Sequence, residues 1–94
     1  MNSSQRRKID LFPNYTHTWC LWEGQAINAA DLGLSAELSG ALERWYYFWE
    51  SHLDIEDGWD SLENHDAYLA EGVRLAELLR LEVKEYADVE LHAR

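Results

Sequence analysis

An α+β fold is expected from three features of the chain. β-rich segments stand at its two ends, apolar residues recur at helical spacing between Ser35 and Val83, and Gly, Pro and capping residues punctuate the joins. Two N-terminal strands and a C-terminal strand would form a small, mostly antiparallel sheet, packed on a two-helix hairpin. Three strands with a helix layer suffice for independent stability.

Each element has its own signal. Residues 1–7 are polar and read as a disordered tail, leaving 8–94 as one α+β domain. Lys8–Phe12 alternates apolar and polar residues and is cut by Pro13-Asn14, which gives a strand and a turn. Tyr15–Trp22 is rich in Thr, Trp and Leu and stops at Glu23-Gly24, a second strand. Between Asn28, a good cap, and Gly33, a good terminator, there is room for one helical turn. The first long helix should begin after Ser35, with Glu37 favoured in its first turn by the helix dipole.

Leu38, Leu42, Trp45, Trp49 and Leu53 then form one apolar stripe. Within the aromatic run Trp45–Trp49, Tyr46 joins that core, Phe48 lies at its border and Tyr47 points away. Gly58 closes this region. Asp60 with Glu63 resembles a capping box, and the second helix is expected to run to about Val83. Its inner face would be Tyr68, Leu69, Gly72, Leu75, Ala76, Leu79 and Val83. In the tail Tyr86–Arg94, Ala87, Val89 and Leu91 alternate with Asp88, Glu90 and His92, a last strand with one wet face.

Composition narrows the class. The apolar content is 47%, with five Trp, five Tyr and two Phe, enough to bury one modest core despite the high charge. A lone cysteine, Cys20, cannot form an internal disulfide, which fits a reducing compartment. Met1–Lys8 is followed by no apolar h-region, and no run approaches the roughly 18 apolar residues that span a bilayer. A cytoplasmic monomer with no membrane partner is expected.

The charge pattern carries the functional information. Between Ile9 and Val73 stand thirteen Asp and Glu against a single basic residue, Arg44, and the formal net charge is −10. Such a field repels nucleic acid and attracts basic partners. Glu43, Tyr47, Glu50 and Asp54 fall on one line of the first long helix, opposite its apolar stripe. Glu56, Asp57, Asp60, Glu63 and Asp66 extend this surface with no Lys or Arg among them, whereas ordinary surfaces intersperse both signs. By contrast Glu71, Arg74, Glu77 and Arg80 alternate and read as solubility pairs. A solvated helix face would explain the line Glu43–Asp54 equally well. As a contact surface, Tyr47 would be its aromatic anchor and the acids would meet Lys and Arg.

Other chemistries fit less well. In Asp54–Asp60, Gly58 stands at loop position five and His65 replaces the bidentate Glu of a calcium loop. His17 and Cys20 are too few ligands for zinc, with His52 and His65 on other elements. Carboxylate pairs abound by chance, and so small a domain leaves little room for a substrate cleft, so no enzyme, cofactor or metal is expected. The aromatic run lacks the basic groove that single-strand binders pair with stacking rings, so direct nucleic-acid binding is disfavoured.

The pattern Trp19-Cys-Leu-Trp22, Leu32-Gly-Leu-Ser35, Glu37-Leu38, Trp45, Gly58-Trp59-Asp60 and Glu71-Gly72 resembles short bacterial proteins of uncharacterised function and covers most of the chain. In size, acidity and aromatic content the chain also resembles two groups of inhibitors, the anti-CRISPR DNA mimics and the immunity proteins that plug nuclease toxins. The resemblance is one of class; no motif transfers a functional residue. It implies an acidic inhibitor that occludes the basic DNA- or RNA-binding surface of a larger protein. Carboxylates one helical turn apart are spaced about 5–6 Å, comparable with phosphates along a strand. The reading taken first is an anti-CRISPR acting on a Cas effector. Its alternative is an immunity protein for a nuclease toxin, and a third is an interaction protein whose acidity serves solubility alone.

Overall fold

In the structure, a computed structural model, residues 6–93 are described. The expected α+β architecture is present: a three-stranded sheet of order β2-β1-β5, backed by the helices α2 and α3. The central strand β1 (Arg7–Asn14) pairs antiparallel with β2 (Trp19–Trp22), matching Asp10 to Trp22 and Leu11 to Leu21. It pairs parallel with β5 (Ala87–Leu91), from Arg7 opposite Ala87 to Leu11 opposite Leu91. One of the two pairings is therefore parallel. The chain crosses over through the helices between β1 and β5, as a parallel neighbour requires. Residues 1–5 of the expected tail lie outside the described residues. Arg7 opens β1, and the Arg6 guanidinium donates to the carbonyls of Lys84 and Ala87, each at 2.8 Å.

Two strand limits differ from expectation for local reasons. β1 continues through Pro13 because the register shifts between Leu11 and Asn14, so the missing N–H of Pro13 breaks no ladder bond. Residues 15–18 form a turn instead of extending β2. The Asn14 side chain accepts from Thr16 N at 2.8 Å, Thr18 N donates to Tyr15 O at 3.2 Å, and Thr18 takes φ +53°.

The helices follow the capping signals. α1 (Ala29–Leu32) is one turn, opened by Asn28, whose N–H donates to Asp31 Oδ2 at 3.0 Å, and closed by Gly33 in the left-handed region. α2 (Ala36–His52) starts at Ser35, whose hydroxyl accepts from Leu38 N at 3.2 Å. α3 (Leu62–Val83) is capped by Ser61, which accepts from Asn64 N at 3.0 Å. The expected Asp60–Glu63 box is thus displaced by one residue. Between the long helices lies an unforeseen hairpin, β3 (Leu53–Asp54) with β4 (Gly58–Trp59).

The core sits between sheet and helices. Ile9 and Leu11 of β1, Cys20 and Leu21 of β2, Leu42 and Trp45 of α2, and Leu75, Leu79 and Val83 of α3 are buried together. Trp45 joins the two helices. Its indole stacks on Tyr68 at 5.0 Å, donates to the Tyr68 carbonyl at 3.0 Å, and lies where a Cβ on Gly72 would be only 2.9 Å away. Tyr46 is buried and Phe48 half-buried, as the helical spacing required. The other sheet face carries Lys8, Asp10, Phe12, Trp22, Glu90 and His92, none of them fully buried.

Candidate functional site: an acidic, cation-poor surface

The first of the predicted contact residues lie on α2. Tyr46, just inside it, donates its hydroxyl to Glu50 Oε2 at 2.9 Å; burial, then the Glu50 carboxylate, pushes the phenol up to about 12. Tyr47 is 48% exposed, with its ring edge against Tyr46 at 5.3 Å. Glu43 is exposed on the same helix.

Past His52 the helix gives way to the hairpin, and Asp54 organises its turn. Asp54 Oδ1 accepts from the N–H groups of Glu56 at 2.8 Å and Asp57 at 3.0 Å. Those two donors hold the Asp54 carboxyl below its ordinary range, the Asp57 N–H having the larger effect. Gly58, at φ +81°, closes the turn in a conformation that a Cβ would strain. Asp54 is therefore a structural residue of the turn.

Asp60 links the end of α2 to the start of α3. It meets His52 Nδ1 at 2.6 Å and accepts from the Asn64 side chain at 3.0 Å, and the His52 contact then the Asn64 contact lower its carboxyl. Glu63 lies in the first turn of α3, where the helix dipole favours an acid. Asp66 follows on the same helix. All nine residues singled out from the sequence, Glu43, Tyr47, Glu50, Asp54, Glu56, Asp57, Asp60, Glu63 and Asp66, are exposed.

Four acids elsewhere are paired with a guanidinium or an ammonium, and the predicted contact acids are not. Among the described residues, Glu23 pairs with Arg7, Glu71 with Arg74, Asp88 with Arg6 and Glu90 with Lys8. None of the eight acids in the surface has a Lys or Arg partner among the described residues. Arg44 instead faces Glu71 across a groove of about 320 Å³ lined also by Trp45, Phe48 and Tyr68.

Two apolar side chains in this surface escaped the sequence reading. Ile55 is 81% exposed at the hairpin tip, between Asp54 and Glu56, and Leu62 is 75% exposed in the first turn of α3. The signal was there as an apolar residue inside an acidic turn, but recognising it needed the hairpin. Beside Ile55, Tyr15 donates its hydroxyl to the Leu53 carbonyl at 3.2 Å and packs its ring on Trp49 at 4.5 Å.

The ligand sets considered from sequence are not assembled. Cys20 is buried with its thiol 3.9 Å from the Leu42 carbonyl, and His17 lies against Trp22 on the uncovered sheet face. Among the described residues, Asp10, Glu90 and His92 form the one trio of candidate ligands that converges. No helix among the described residues is long and apolar enough to cross a membrane.

Comparison with curated proteins gives no match. A family model described as Serratia CdiI immunity protein-like matches residues 7–93, from the first residue of β1 to just beyond β5, and the chain belongs to that family.

Proposed function

We propose that the protein is an immunity protein that binds a nuclease toxin and blocks its basic nucleic-acid-binding surface with the acidic face running from Glu43 to Asp66. The observation that carries this reading is eight exposed carboxylates with no Lys or Arg partner among the described residues. Leaving so many like charges together costs folding stability, and a basic partner would offset that cost. The family match supports the immunity reading and adds nothing to the anti-CRISPR one, so the partner is taken as a toxin and not a Cas effector. Inhibition would be by occupancy, with no chemistry at the protein's own residues. Ile55, Leu62 and Tyr47 give the acidic face the apolar points that well-packed interfaces contain.

The test is co-expression with a cognate nuclease toxin domain. The wild-type chain should restore growth and co-purify with the toxin. A triple reversal of Glu43, Glu56 and Asp57 to Lys, exposed acids whose side chains hold no turn or buried group, should do neither while staying folded. Full protection by the triple variant would move the binding surface elsewhere. A toxin whose cleavage of nucleic acid continues inside the complex would refute occlusion.

A further inference from the structure

We propose that Asp10, Glu90 and His92 form a binding site for one transition-metal dication of the zinc type on the uncovered face of the sheet. The strand register builds it. Asp10 and Glu90 are partners across the parallel β1–β5 ladder and therefore share a face, and His92, two residues on, returns to that face. The backbone of His92 is fixed as well, since its N–H donates to the Leu11 carbonyl at 3.0 Å and carries the ladder one residue past β5.

The ligand atoms converge. His92 Nε2 lies 2.9 Å from Asp10 Oδ1 and 3.9 Å from Glu90 Oε2, and one donor atom from each residue falls within 4.8 Å of the others. Zinc bonds of about 2.0–2.2 Å place tetrahedral ligands roughly 3.3–3.5 Å apart, a value the two distances bracket. Lys8 engages the other Glu90 oxygen, Oε1, at 3.5 Å, so Oε2 still faces the imidazole. Phe12 holds one side of the His92 ring edge-on at 5.8 Å. Asp10 and His92 also line an open groove of about 570 Å³ with Phe12, Pro13, Trp49 and Leu53, so solvent reaches this side of the trio.

The donor set selects the metal. One imidazole with two carboxylates suits Zn²⁺, Ni²⁺ or Co²⁺, whereas Mg²⁺ and Ca²⁺ favour all-oxygen shells. A bound dication would add to the compensation that Lys8 gives two acids held opposite each other on neighbouring strands. It would also tie the C-terminal strand to the central one. The site is separate from the acidic face of α2 and does not depend on the toxin reading.

Zinc titration of the chelator-stripped full chain tests this. One equivalent should bind, with a rise in thermal midpoint that magnesium at the same concentration does not give. His92→Ala and Asp10→Asn should each weaken zinc at least tenfold and remove the rise. Glu43→Gln with Glu50→Gln, on the acidic helix face, should leave both unchanged. In nuclear magnetic resonance spectra of the unmutated chain the His92 ring signals should be those that shift, which keeps the test valid even if a variant is disturbed in its fold. No binding at about 1 mM zinc, binding indifferent to His92 and Asp10, or a shift of His52 beside Asp60 in place of His92 would overturn the site.

Discussion

Cys20 is fully buried beneath α2, and the loss of water around it pushes its thiol up to about 12. Since the thiolate is the reactive form, the native chain should resist iodoacetamide near neutral pH and react only when denatured. Equal alkylation rates in the folded and unfolded chain would contradict this packing. Asp54 shows the opposite situation, an exposed acid whose charge the turn favours. Its carboxyl is lowered from an ordinary 3.8 by the Asp57 and Glu56 N–H groups. Because the folded value is depressed, the stabilisation is fully present above about 3.8 and is lost as pH falls through the folded value. Asp54→Asn keeps a side-chain acceptor but has no charge to titrate. Measured by thermal midpoint, the wild type should lose ground to this variant as pH drops below 3.8 and run parallel to it from pH 5 to 7. A gap between the two that stays constant through acid would show that the turn does not favour the charge.

The contact between α2 and α3 depends on having no side chain at Gly72. Glycine inside a helix costs about 1 kcal/mol relative to alanine, so Gly72→Ala would stabilise an isolated helix. Here the new methyl would stand 2.9 Å from the Trp45 ring, which is pinned by its stack on Tyr68 and its bond to the Tyr68 carbonyl. The clash should win and lower stability by about 1–3 kcal/mol in denaturant titrations, and an increase would mean that Trp45 moves easily. A second link joins the helices at their other end, where Glu82 accepts from Ser35 N at 2.8 Å and from its hydroxyl at 2.6 Å. Glu82→Ala should cost roughly 1 kcal/mol by the same titration, because the cap of α2 loses a charged partner; no change would make this contact incidental. The helices were legible in sequence because Ser35, Gly33 and the Leu38–Trp49 stripe are local signals with a fixed period. The parallel partner of β1 was not, since strand order depends on contacts some eighty residues apart. The β3–β4 hairpin was missed because two-residue strands leave no period to read, and Asp54 and Gly58 act through turn geometry alone.

At the scale of the whole molecule, net charge and its distribution make separate statements. The excess of acid was plain in the sequence, and so was the exposure of Glu43, Tyr47 and Glu50, since both follow from composition and helical phase. Which acids go without a cation was not legible, because Arg6 and Lys8 find Asp88 and Glu90 only once β1 and β5 lie side by side, and Arg7 finds Glu23 only once β1 pairs with β2. The same folding leaves Arg44 facing Glu71 and away from the acidic line. If the proposed toxin is held by that line, association should be fast at low ionic strength and slow steeply as salt rises, because steering acts within a Debye length of about 10 Å at 0.1 M. Charge reversal at Glu43, Glu56 and Asp57 should reduce the association rate and weaken its salt dependence. Tyr47→Ala should instead speed dissociation and weaken affinity by roughly 1–2 kcal/mol. The matched control is Glu77 with Glu85, exposed acids away from the surface; Glu82 is unsuitable because it holds the cap of α2. Kinetics measured at two salt concentrations separate the outcomes. Losses in proportion to the charges reversed, three acids against two, would mean that net charge alone counts. A rate indifferent to salt, with binding still abolished by Tyr47→Ala, would transfer the interface to the apolar points Tyr47, Ile55 and Leu62 and leave the acids to solubility.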